Sequence, residues 1–576
     1  MKKYTLFTLM LMVLMFASSG AADNRNYILK QNPNLLSDEI IQYLNEKYFP
    51  DGVQTSSIKF LNFSDADTQM VKTVPGNKIF YSKEGFLVKP TNIIVTTPND
   101  GKIFLGYKNN LRIRESKIDE NVEFTLTKLY MPDEIKLPEI PKGYKMPESF
   151  SVILPEGTAI ETKEKLDSLL KFKQGQQLLK EYALLKLNIH AEDLKFAIYV
   201  LENMAESGFR NLNKEESATI LHSDADFMPD GEFFNNVYYA LEARKDLPWC
   251  KNMSDEIFKD YVLPHRCSEE QMFSWRARCY NALAPVVAKM KTLDEAKNYA
   301  SSIYNMLVKY RQDVFFEDQG FLSLMLSHEG RCEEMTNFEN RLLMSIGIPS
   351  MHVYTPAWAG GDGNHAWSGY YKDNKLVGAQ NQYKGAAKVY TRNGYGVRKD
   401  VTVEFGKVAN FTLENLKPDT DVLLNVWNHN NWVGVARYKT DANGILLAKD
   451  IGANKDFWLS LSYSYHNYYN NNKHEPVENS FIISDGQVEF LKWDDTKKTT
   501  VKIILKNGNL KKDSKYKILA YNNHKWVVVH EFTAIVDKSA EIEFSTCKTI
   551  LILADADENR IDRPFMITEK NEIKGF

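Results

Sequence analysis

Residues 330–381 read GRCEEMTNFENRLLMSIGIPSMHVYTPAWAGGDGNHAWSGYYKDNKLVGAQN, with a lone cysteine near the start and His-Ala-Trp further on. Cys332 begins a segment whose apolar residues recur at helical spacing, and Gly347 and Pro349 are residue types that end helices. A thiol in the first turn of a helix lies at the positive end of the helix dipole, which favours the thiolate. The sequence therefore predicts a helix that begins at a lone, activated cysteine.

A strand and a hairpin follow the predicted helix. Residues 351–355, MHVYT, have the composition of a short strand, and a loop with three glycines separates them from His365. His365 begins a second strand, which turns at 372–375, KDNK, and returns as 376–380, LVGAQ. The predicted order is a helix with a cysteine at its start, then a hairpin with a histidine at its start.

This order resembles the transglutaminase-like superfamily, whose members are papain-like cysteine acyl-transfer enzymes. The matching pieces are Gly-x-Cys, Gly-Ile-Pro and His-Ala-Trp, in the order of the family and at similar spacing. Within the superfamily, the stretch looks most like secreted bacterial transglutaminase-like domain proteins. The resemblance implies that Cys332 is the nucleophile and that His365 is the base, which takes the thiol proton and later protonates the leaving group.

The family has a third catalytic member, usually an aspartate, on the strand after the hairpin. Gln380 and Asn381 occupy that place in this sequence. An amide can accept the ring N–H and fix the tautomer of the imidazole, but it stabilises an imidazolium less than a carboxylate does. Two interpretations therefore stay open: an active thiol enzyme with an amide as third member, and a scaffold that has lost catalysis.

Three further residues are candidates for the substrate cleft. Trp358 and Trp367 flank the histidine and are expected to wall the cleft, although a buried tryptophan beside a catalytic pair is equally often plain packing. Gln319 is expected to donate to the oxyanion together with the backbone N–H of Cys332.

The resemblance implies an α+β fold class, in which a papain-like transglutaminase core combines a helical lobe with a small antiparallel sheet. An N-terminal mostly-β module and two C-terminal β-sandwich modules are expected to flank this core. The predicted ranges are a signal peptide at 1–22, the N-terminal mixed module at 23–150, the core at 151–390, and the two β-sandwich repeats at 391–484 and 485–576.

Strands are predicted in the N-terminal module and helices after it. The strands are at 85–89, 92–97, 102–107 and 122–130, with Asn-Asp-Gly at 99–101 as a hairpin turn and a short helix at 35–46. Helical patterns follow at 162–186, 191–206, 233–244 and 255–264. Residues 293–314 are predicted to form one long amphipathic helix.

The last part of the chain contains an internal repeat. Residues 425–438 match 520–532, and residues 479–484 match 563–568. The aligned pairs include Trp432 with Trp526 and Asn428 with Asn522. Two similar β-sandwiches are predicted, each with a bulged, Asn-rich hairpin that feeds a tryptophan into the core of its own module.

One loop of the first repeat is a candidate for glycan contact through the β modules. Residues 463–472, YSYHNYYNNN, are rich in Tyr and Asn, which can stack on sugar rings and hydrogen-bond their hydroxyls. The composition of an ordinary solvent-exposed loop is the alternative.

Residues 1–22 have the three parts of a secretory signal peptide: two lysines, an apolar stretch and a run of small residues. No cysteine lies near the cleavage site, so a bacterial lipid anchor is not predicted, and no later segment is long and apolar enough to span a membrane. We therefore expect export to the periplasm, the cell surface or the medium.

Charge and cysteine number exclude further classes. A formal net charge of -3 over 576 residues argues against a nucleic-acid partner. The five cysteines are too few for a disulfide scaffold and leave at least one thiol unpaired. Cys332 is the expected free thiol, and a bridge among Cys250, Cys267 and Cys279 stays open. No metal site and no cofactor are expected.

The expected function is an exported transglutaminase-like thiol enzyme. It would cleave or transfer the amide acyl groups of peptide, protein or glycopeptide substrates through a Cys-His pair and a thioester. Hydrolysis is favoured over cross-linking, because water outcompetes amines unless a second pocket holds the amine. The alternative is a catalytically inactive transglutaminase-like scaffold that binds a peptide or glycan polymer.

Overall fold

The computed structural model describes a large part of the chain. The described residues are 93–95, 103–105, 119–130, 138–146, 160–172, 174–206, 208–211, 219–228, 230–268, 270, 275–311, 320–321, 324–325, 329–373, 375–378, 383–396, 398–463 and 475–576. Two compact units divide the chain. The first comprises Met1–His352, Trp367–Asn374 and Arg392–Arg398, and the second comprises Val353–Ala366, Lys375–Thr391 and Lys399–Phe576.

Two short strands lie in the N-terminal part. Strands β1 (Ile93–Val95) and β2 (Ile103–Leu105) pair antiparallel, which confirms the strands predicted at 92–97 and 102–107. Their turn at 99–101, the helix predicted at 35–46 and the strand predicted at 85–89 lie outside the described residues.

The strand predicted at 122–130 is wrong, because this segment lies in helix α1 (Glu120–Tyr130). Val122, Leu126 and Leu129 are buried at helical spacing, and the Thr125 hydroxyl bonds to the backbone oxygen of Ala282. The β-branched and aromatic residues of this segment favour a strand, but burial of one helical face outweighs that local preference.

Helices form most of the rest of the first unit. They are α2 (Ile160–Leu169), α3 (Gly175–Asn188), α4 (Leu194–Glu206), α5 (Asp224–Phe227), α6 (Glu232–Asp246), α7 (Pro248–Lys251), α8 (Asp255–Tyr261), α9 (Arg276–Val287) and α10 (Leu293–Leu307). The helices predicted at 191–206, 233–244 and 255–264 are confirmed, whereas the run at 162–186 forms two helices. Their apolar faces share one buried core.

The long helix predicted at 293–314 is also wrong. Helix α10 ends at Leu307, and Val308 is already extended, with φ -126° and ψ 137°. Strand β5 (Lys309–Tyr310) then pairs parallel with β6 (Glu329–Gly330), a partner that helical periodicity does not reveal. A hairpin of β3 (Gly208–Asn211) and β4 (Thr219–Ser223) likewise interrupts the region predicted to be helical.

Helix α11 (Cys332–Ser345) begins at Cys332, as predicted. Gly347 follows its end with a φ of 69°, and a Cβ at this position would lie 2.7 Å from the Cβ of Cys250. Only glycine satisfies both the left-handed backbone and the close approach, so the predicted stop signal has a definite physical cause.

A five-stranded sheet follows helix α11. Its strands are β7 (Ser350–Thr355), β8 (His365–Lys372), β9 (Lys375–Val377), β10 (Tyr390–Arg392) and β11 (Arg398–Asp400), in the order β11-β10-β7-β8-β9. The strand at 351–355, the strand that begins at His365 and a return strand after the turn are confirmed. The return strand ends at Val377.

The internal repeat is confirmed by two sets of strands with the same order. The first set is β12 (Val408–Leu413), β13 (Asp421–Asn428), β14 (Asn431–Lys439), β15 (Leu446–Gly452), β16 (Phe457–Ser462), β17 (Phe481–Ser484) and β18 (Gln487–Phe490). The second set is β19 (Thr499–Lys506), β20 (Lys515–Asn522), β21 (Lys525–Thr533), β22 (Ser539–Thr546), β23 (Leu551–Asp555), β24 (Phe565–Ile567) and β25 (Ile573–Gly575).

Each repeat has a two-stranded and a five-stranded sheet. The orders are β12-β15 with β14-β13-β16-β17-β18, and β19-β22 with β21-β20-β23-β24-β25. The two sheets of a repeat share one apolar core, as in a β-sandwich. The bulge also recurs at the same place, after Leu424 in one hairpin and after Ile518 in the other.

The two aligned tryptophans do not enter the cores of their own sandwiches, so that prediction is wrong. Trp432 lies in a separate cluster with Trp458 of its own repeat and with Tyr521 and Trp526 of the other repeat. The indole N–H of Trp432 donates to the hydroxyl of Tyr521 at 3.1 Å. The second unit therefore has an aromatic cluster to which both repeats contribute.

The described part of the chain thus has mixed helix and sheet content with several antiparallel sheets. The papain-like arrangement of its core stays a prediction. Among the described residues, no helix combines the length and the hydropathy that crossing a membrane requires.

Candidate functional site

Cys332 differs from the other four cysteines in its exposure. Cys332 is partly exposed, whereas Cys250, Cys267, Cys279 and Cys547 are buried. All five cysteines belong to the described residues, and none of them forms a disulfide, so the bridge left open by the sequence does not form.

Burial also affects the pKa and therefore the reactivity of these thiols. It raises the pKa of Cys250 to about 12, and it raises the pKa of Cys267 as well. Both therefore stay protonated and unreactive at neutral pH. Cys332, as the first residue of a 14-residue helix, is the thiol that the fold leaves open to solvent at a helix N-terminus.

The residues around Cys332 in the motif GRCE fix the start of the helix. The backbone N–H of Arg331 donates to the carboxylate of Glu334, and the Arg331 guanidinium pairs with the same carboxylate at 3.0 Å. A Cβ at Gly330 would lie 2.9 Å from Leu324 and 3.1 Å from Glu334. The glycine thus leaves room for the arginine-glutamate pair that holds Cys332 in position.

Glu333 is a neighbour of the thiol that the sequence motifs do not indicate as a site residue. The Cys332 thiol donates to its Oε2 at 3.1 Å. Burial raises the pKa of Glu333, but the hydrogen bond from Cys332, the Glu333 backbone N–H and the electrostatic interactions with His352 and Arg331 lower it more. The net pKa is below its ordinary value, so this carboxylate is ionised at neutral pH.

His352, on β7, is a second residue near the thiol that the sequence motifs do not indicate. Its Nδ1 lies 2.9 Å from the Oδ1 of Asn337 on α11. Burial lowers the pKa of His352, and so do the charges of Arg392 and Arg398. A neutral imidazole therefore lies within electrostatic reach of Glu333 in the first unit.

A buried ion pair supports this region. Glu270 accepts from Arg341 at 2.6 Å and from the backbone N–H groups of Cys267 and Ser268, each at 2.7 Å. Burial alone would raise the pKa of Glu270, but Arg341 first and then Arg266 bring it down to about 2. One signal for this network was present in the sequence, since polar residues 337 and 341 interrupt the apolar face of the cysteine helix.

His365 is the first residue of β8 and belongs to the second unit. The ring of Trp358 lies beside it, with centroids 5.8 Å apart and planes tilted by 31°. Trp358 therefore does flank the histidine, whereas Trp367 is buried and belongs to the first unit. Roles of either tryptophan in a cleft stay predictions.

Several predicted residues lie outside the described part of the chain. Gln319, Gln380 and Asn381 are among them, as is most of the candidate glycan loop at 463–472. Tyr463 is described, and its hydroxyl accepts from the backbone N–H of Lys417 at 3.0 Å. Its ring also lies under the ammonium of that lysine, at 4.3 Å, so Tyr463 is engaged by its own module.

Cys332 belongs to the first unit and His365 to the second, so their pairing stays a prediction from the motif order. No three His, Cys, Asp or Glu side chains of the described residues are grouped as a metal site would require.

Comparisons with known proteins add little to the sequence motifs Gly-x-Cys, Gly-Ile-Pro and His-Ala-Trp. No family model matches the chain, and no curated protein matches it. Among solved structures, the crystal structure of red sea bream transglutaminase matches at 11% identity and a TM-score of 0.17, over 64% of this chain and 76% of that chain. A TM-score this low supports no conclusion about a shared fold, so the superfamily remains a resemblance of short motifs.

Proposed function

We propose that this chain is an exported transglutaminase-like thiol enzyme that cleaves or transfers amide acyl groups, with Cys332 as nucleophile. One observation carries the proposal: Cys332 is the partly exposed thiol among five, and it is the first residue of a helix. Helix N-termini favour thiolates, and exposure gives a substrate access. The motif order Gly-x-Cys, Gly-Ile-Pro and His-Ala-Trp supports the same assignment.

The reaction would proceed through a thioester. His365 takes the proton of the Cys332 thiol, and the thiolate attacks the amide carbonyl carbon. The C–N bond then breaks, and the amine leaves with the proton returned by the His365 imidazolium. Water, activated by the same imidazole, cleaves the thioester and regenerates the thiol. Gln380 or Asn381 would accept the far ring N–H and orient the imidazole.

The substrates are proposed to be peptides, proteins or glycopeptides outside the cytoplasm, with hydrolysis favoured over transfer. Export is proposed from the signal-peptide pattern of residues 1–22, and glycan contact from the tyrosines and asparagines of residues 463–472. Both proposals rest on sequence alone.

A second candidate function is a scaffold without catalysis that holds a peptide or glycan polymer. The hydrogen bond from Cys332 to Glu333 favours it, because an anionic acceptor next to sulfur favours the protonated thiol. The amides of Gln380 and Asn381 stand where the family has an acid, and this also favours a scaffold without catalysis.

Turnover of a peptide library distinguishes the two functions. Cys332→Ala should abolish cleavage, whereas Cys547→Ala, which removes a buried thiol from the last repeat, should retain it. Circular dichroism of each variant establishes that it is folded. Full cleavage by folded Cys332→Ala protein would refute the enzyme proposal. If the unmodified protein binds library peptides and cleaves none of them, the scaffold is supported.

A further inference from the structure

The loop before His365, residues 358–364, is held at several points within the second unit. We call it the histidine loop. Its ends are joined by a hydrogen bond of 2.9 Å from the backbone N–H of Trp358 to the carbonyl oxygen of Gly363. The N–H groups of Ala359 and Gly360 both donate to the carbonyl of Gly385, at 2.8 and 3.1 Å. Three glycines in a short loop give it little conformational preference of its own, so its shape depends on such external contacts.

The first repeat contributes Asn428, which lies at the end of β13 and is fully buried. Its Oδ1 accepts from the backbone N–H of Gly363 at 3.0 Å. Its Nδ2 lies 3.0, 3.2 and 2.9 Å from the carbonyl oxygens of Trp358, Gly361 and Gly363. One side chain thus satisfies backbone groups along most of the histidine loop.

The second repeat contributes Arg563 to the same loop. Its Nη1 pairs with Asp362 at 2.5 Å, and its Nη2 donates to the carbonyl of Ala359 at 3.3 Å. Its Nε donates to the carbonyl of Phe576 at 2.8 Å, which orients the guanidinium. The Asp362 carboxylate also accepts from the backbone N–H of His429, in the hairpin turn next to Asn428.

The repeat itself provides an internal comparison. Asn522 stands where the first repeat has Asn428, and its Oδ1 has no hydrogen-bond partner among the described residues. Asn479 stands where the second repeat has Arg563, and its side chain donates to the adjacent Glu478. The same fold therefore forms without these contacts, so Asn428 and Arg563 are specialised for the histidine loop.

We propose that the two C-terminal repeats position His365, and that Asn428 and Arg563 are the positioning residues. Gly363 precedes His365 by two positions, and Trp358 contacts the imidazole, so both ends of the fixed loop reach the histidine. Orientation of a catalytic group lowers the entropic part of a reaction barrier, which is the benefit of fixing such a loop. The inference rests on the proposed function, because it takes His365 as the base.

Hydrogen exchange of the full chain tests the positioning without any assay of activity. In Asn428→Ala and Arg563→Ala, the amides of Trp358 and Gly363 should exchange at least about tenfold faster, because their loop opens more often. The matched controls Asn522→Ala and Asn479→Ala should leave these amides unchanged. Asp362→Asn serves as a second variant, since its side chain is 43% exposed and its replacement is not expected to unfold the repeats.

The second readout is the pH dependence of Cys332 alkylation by iodoacetamide. In the unmodified protein, a thiolate paired with an imidazolium should react at about pH 6, and in Asn428→Ala the midpoint should move toward about 8.5, the value of a free thiol. The two control variants should keep the original midpoint. Urea denaturation of Asn428→Ala and Asn522→Ala measures how much of this difference comes from a general loss of stability.

The outcomes separate the two proposals. If exchange of Trp358 and Gly363 is the same in Asn428→Ala and Asn522→Ala, the positioning inference is overturned, whatever the alkylation shows. A second outcome is faster exchange in Asn428→Ala together with alkylation of Cys332 only near about pH 8.5 in the unmodified protein. This outcome overturns the Cys-His pair and shows that the repeats order the loop for another purpose. Faster exchange together with a shifted alkylation midpoint supports both.

Discussion

The Cys332 thiol donates a hydrogen bond to the carboxylate of its own neighbour, Glu333, with Sγ and Oε2 3.1 Å apart. The two residues begin the same helix, so the dipole that favours a thiolate also favours an ionised Glu333. The Glu333 carboxylate and the Cys332 sulfur both lie at the positive end of the helix dipole. An ionised carboxylate there makes ionisation of the thiol less favourable and so limits its reactivity. The identity of residue 333 should therefore set the pH at which Cys332 reacts.

Replacement of Glu333 by glutamine should increase the alkylation rate of Cys332 at pH 6 by a factor of about three to ten, since removal of the anion favours the thiolate. The measurement is the second-order rate with iodoacetamide, followed by mass spectrometry of the peptide that contains Cys332. Glu339→Gln is the matched control, because Glu339 lies on the same helix and accepts from Ser301. Equal rates in the two variants would contradict the assigned role of Glu333.

The buried pair Glu270–Arg341 should be worth far more to stability than a surface pair. Glu270→Gln leaves the Arg341 guanidinium buried without its counter-charge and should lower the free energy of unfolding by about 3–5 kcal/mol. Glu541→Gln removes an exposed partner of Lys502 and should cost far less stability, because water screens an exposed pair. Urea denaturation of both variants measures the difference, and similar losses would show that the Glu270 pair is not a major support.

Acid should remove the contribution of Glu270. Its pKa is below the unfolded value, so the native state binds its proton less tightly than the unfolded chain does. The stabilisation is therefore complete above the ordinary carboxylate value and is lost as the pH falls toward about 2. In Glu270→Gln this part of the acid transition should be absent.

Glu181 should have the opposite pH dependence. Its carboxylate accepts from the backbone N–H groups of Gly231 and Phe234, at 2.6 and 2.9 Å, and so caps helix α6. Burial nevertheless raises its pKa to about 7. The native state therefore holds this proton more tightly, and stability should fall by about 3 kcal/mol as the pH rises from about 4.5 to about 7.

The measurement for Glu181 is the free energy of unfolding of the unmodified protein and of Glu181→Gln at several pH values in that window. A neutral amide has no proton to lose, so the variant should lack the decline. A variant with the same slope as the unmodified protein would assign the decline to other groups.

Local signals in the sequence were sufficient for the cysteine helix and for the repeats. Helix α11 begins and ends where its own residues require it to, at Cys332 and before Gly347. The repeated hairpins could be recognised because strand pairing across a short turn places Trp432 and Trp526 in equivalent positions.

The sequence-based predictions are wrong or incomplete where contacts between residues far apart in the chain determine the structure. Residues 122–130 have strand composition but form a helix, because their apolar face is buried against helices encoded much later in the chain. The pair Glu270–Arg341 and the contact of Asn428 with Gly363 join residues 71 and 65 positions apart. No sequence periodicity connects such distant residues. The ion pair that supports the cysteine helix and the contacts of Asn428 with the histidine loop could therefore not be predicted from the sequence.

The alkylation profile of Cys332 in His365→Ala shows whether His365 activates Cys332. The unmodified protein should react with iodoacetamide rapidly at about pH 6, and the variant should react only as the pH approaches about 8.5. Identical profiles for the two proteins would contradict activation of Cys332 by His365 and would leave Cys332 as a partly exposed thiol of no assigned chemistry.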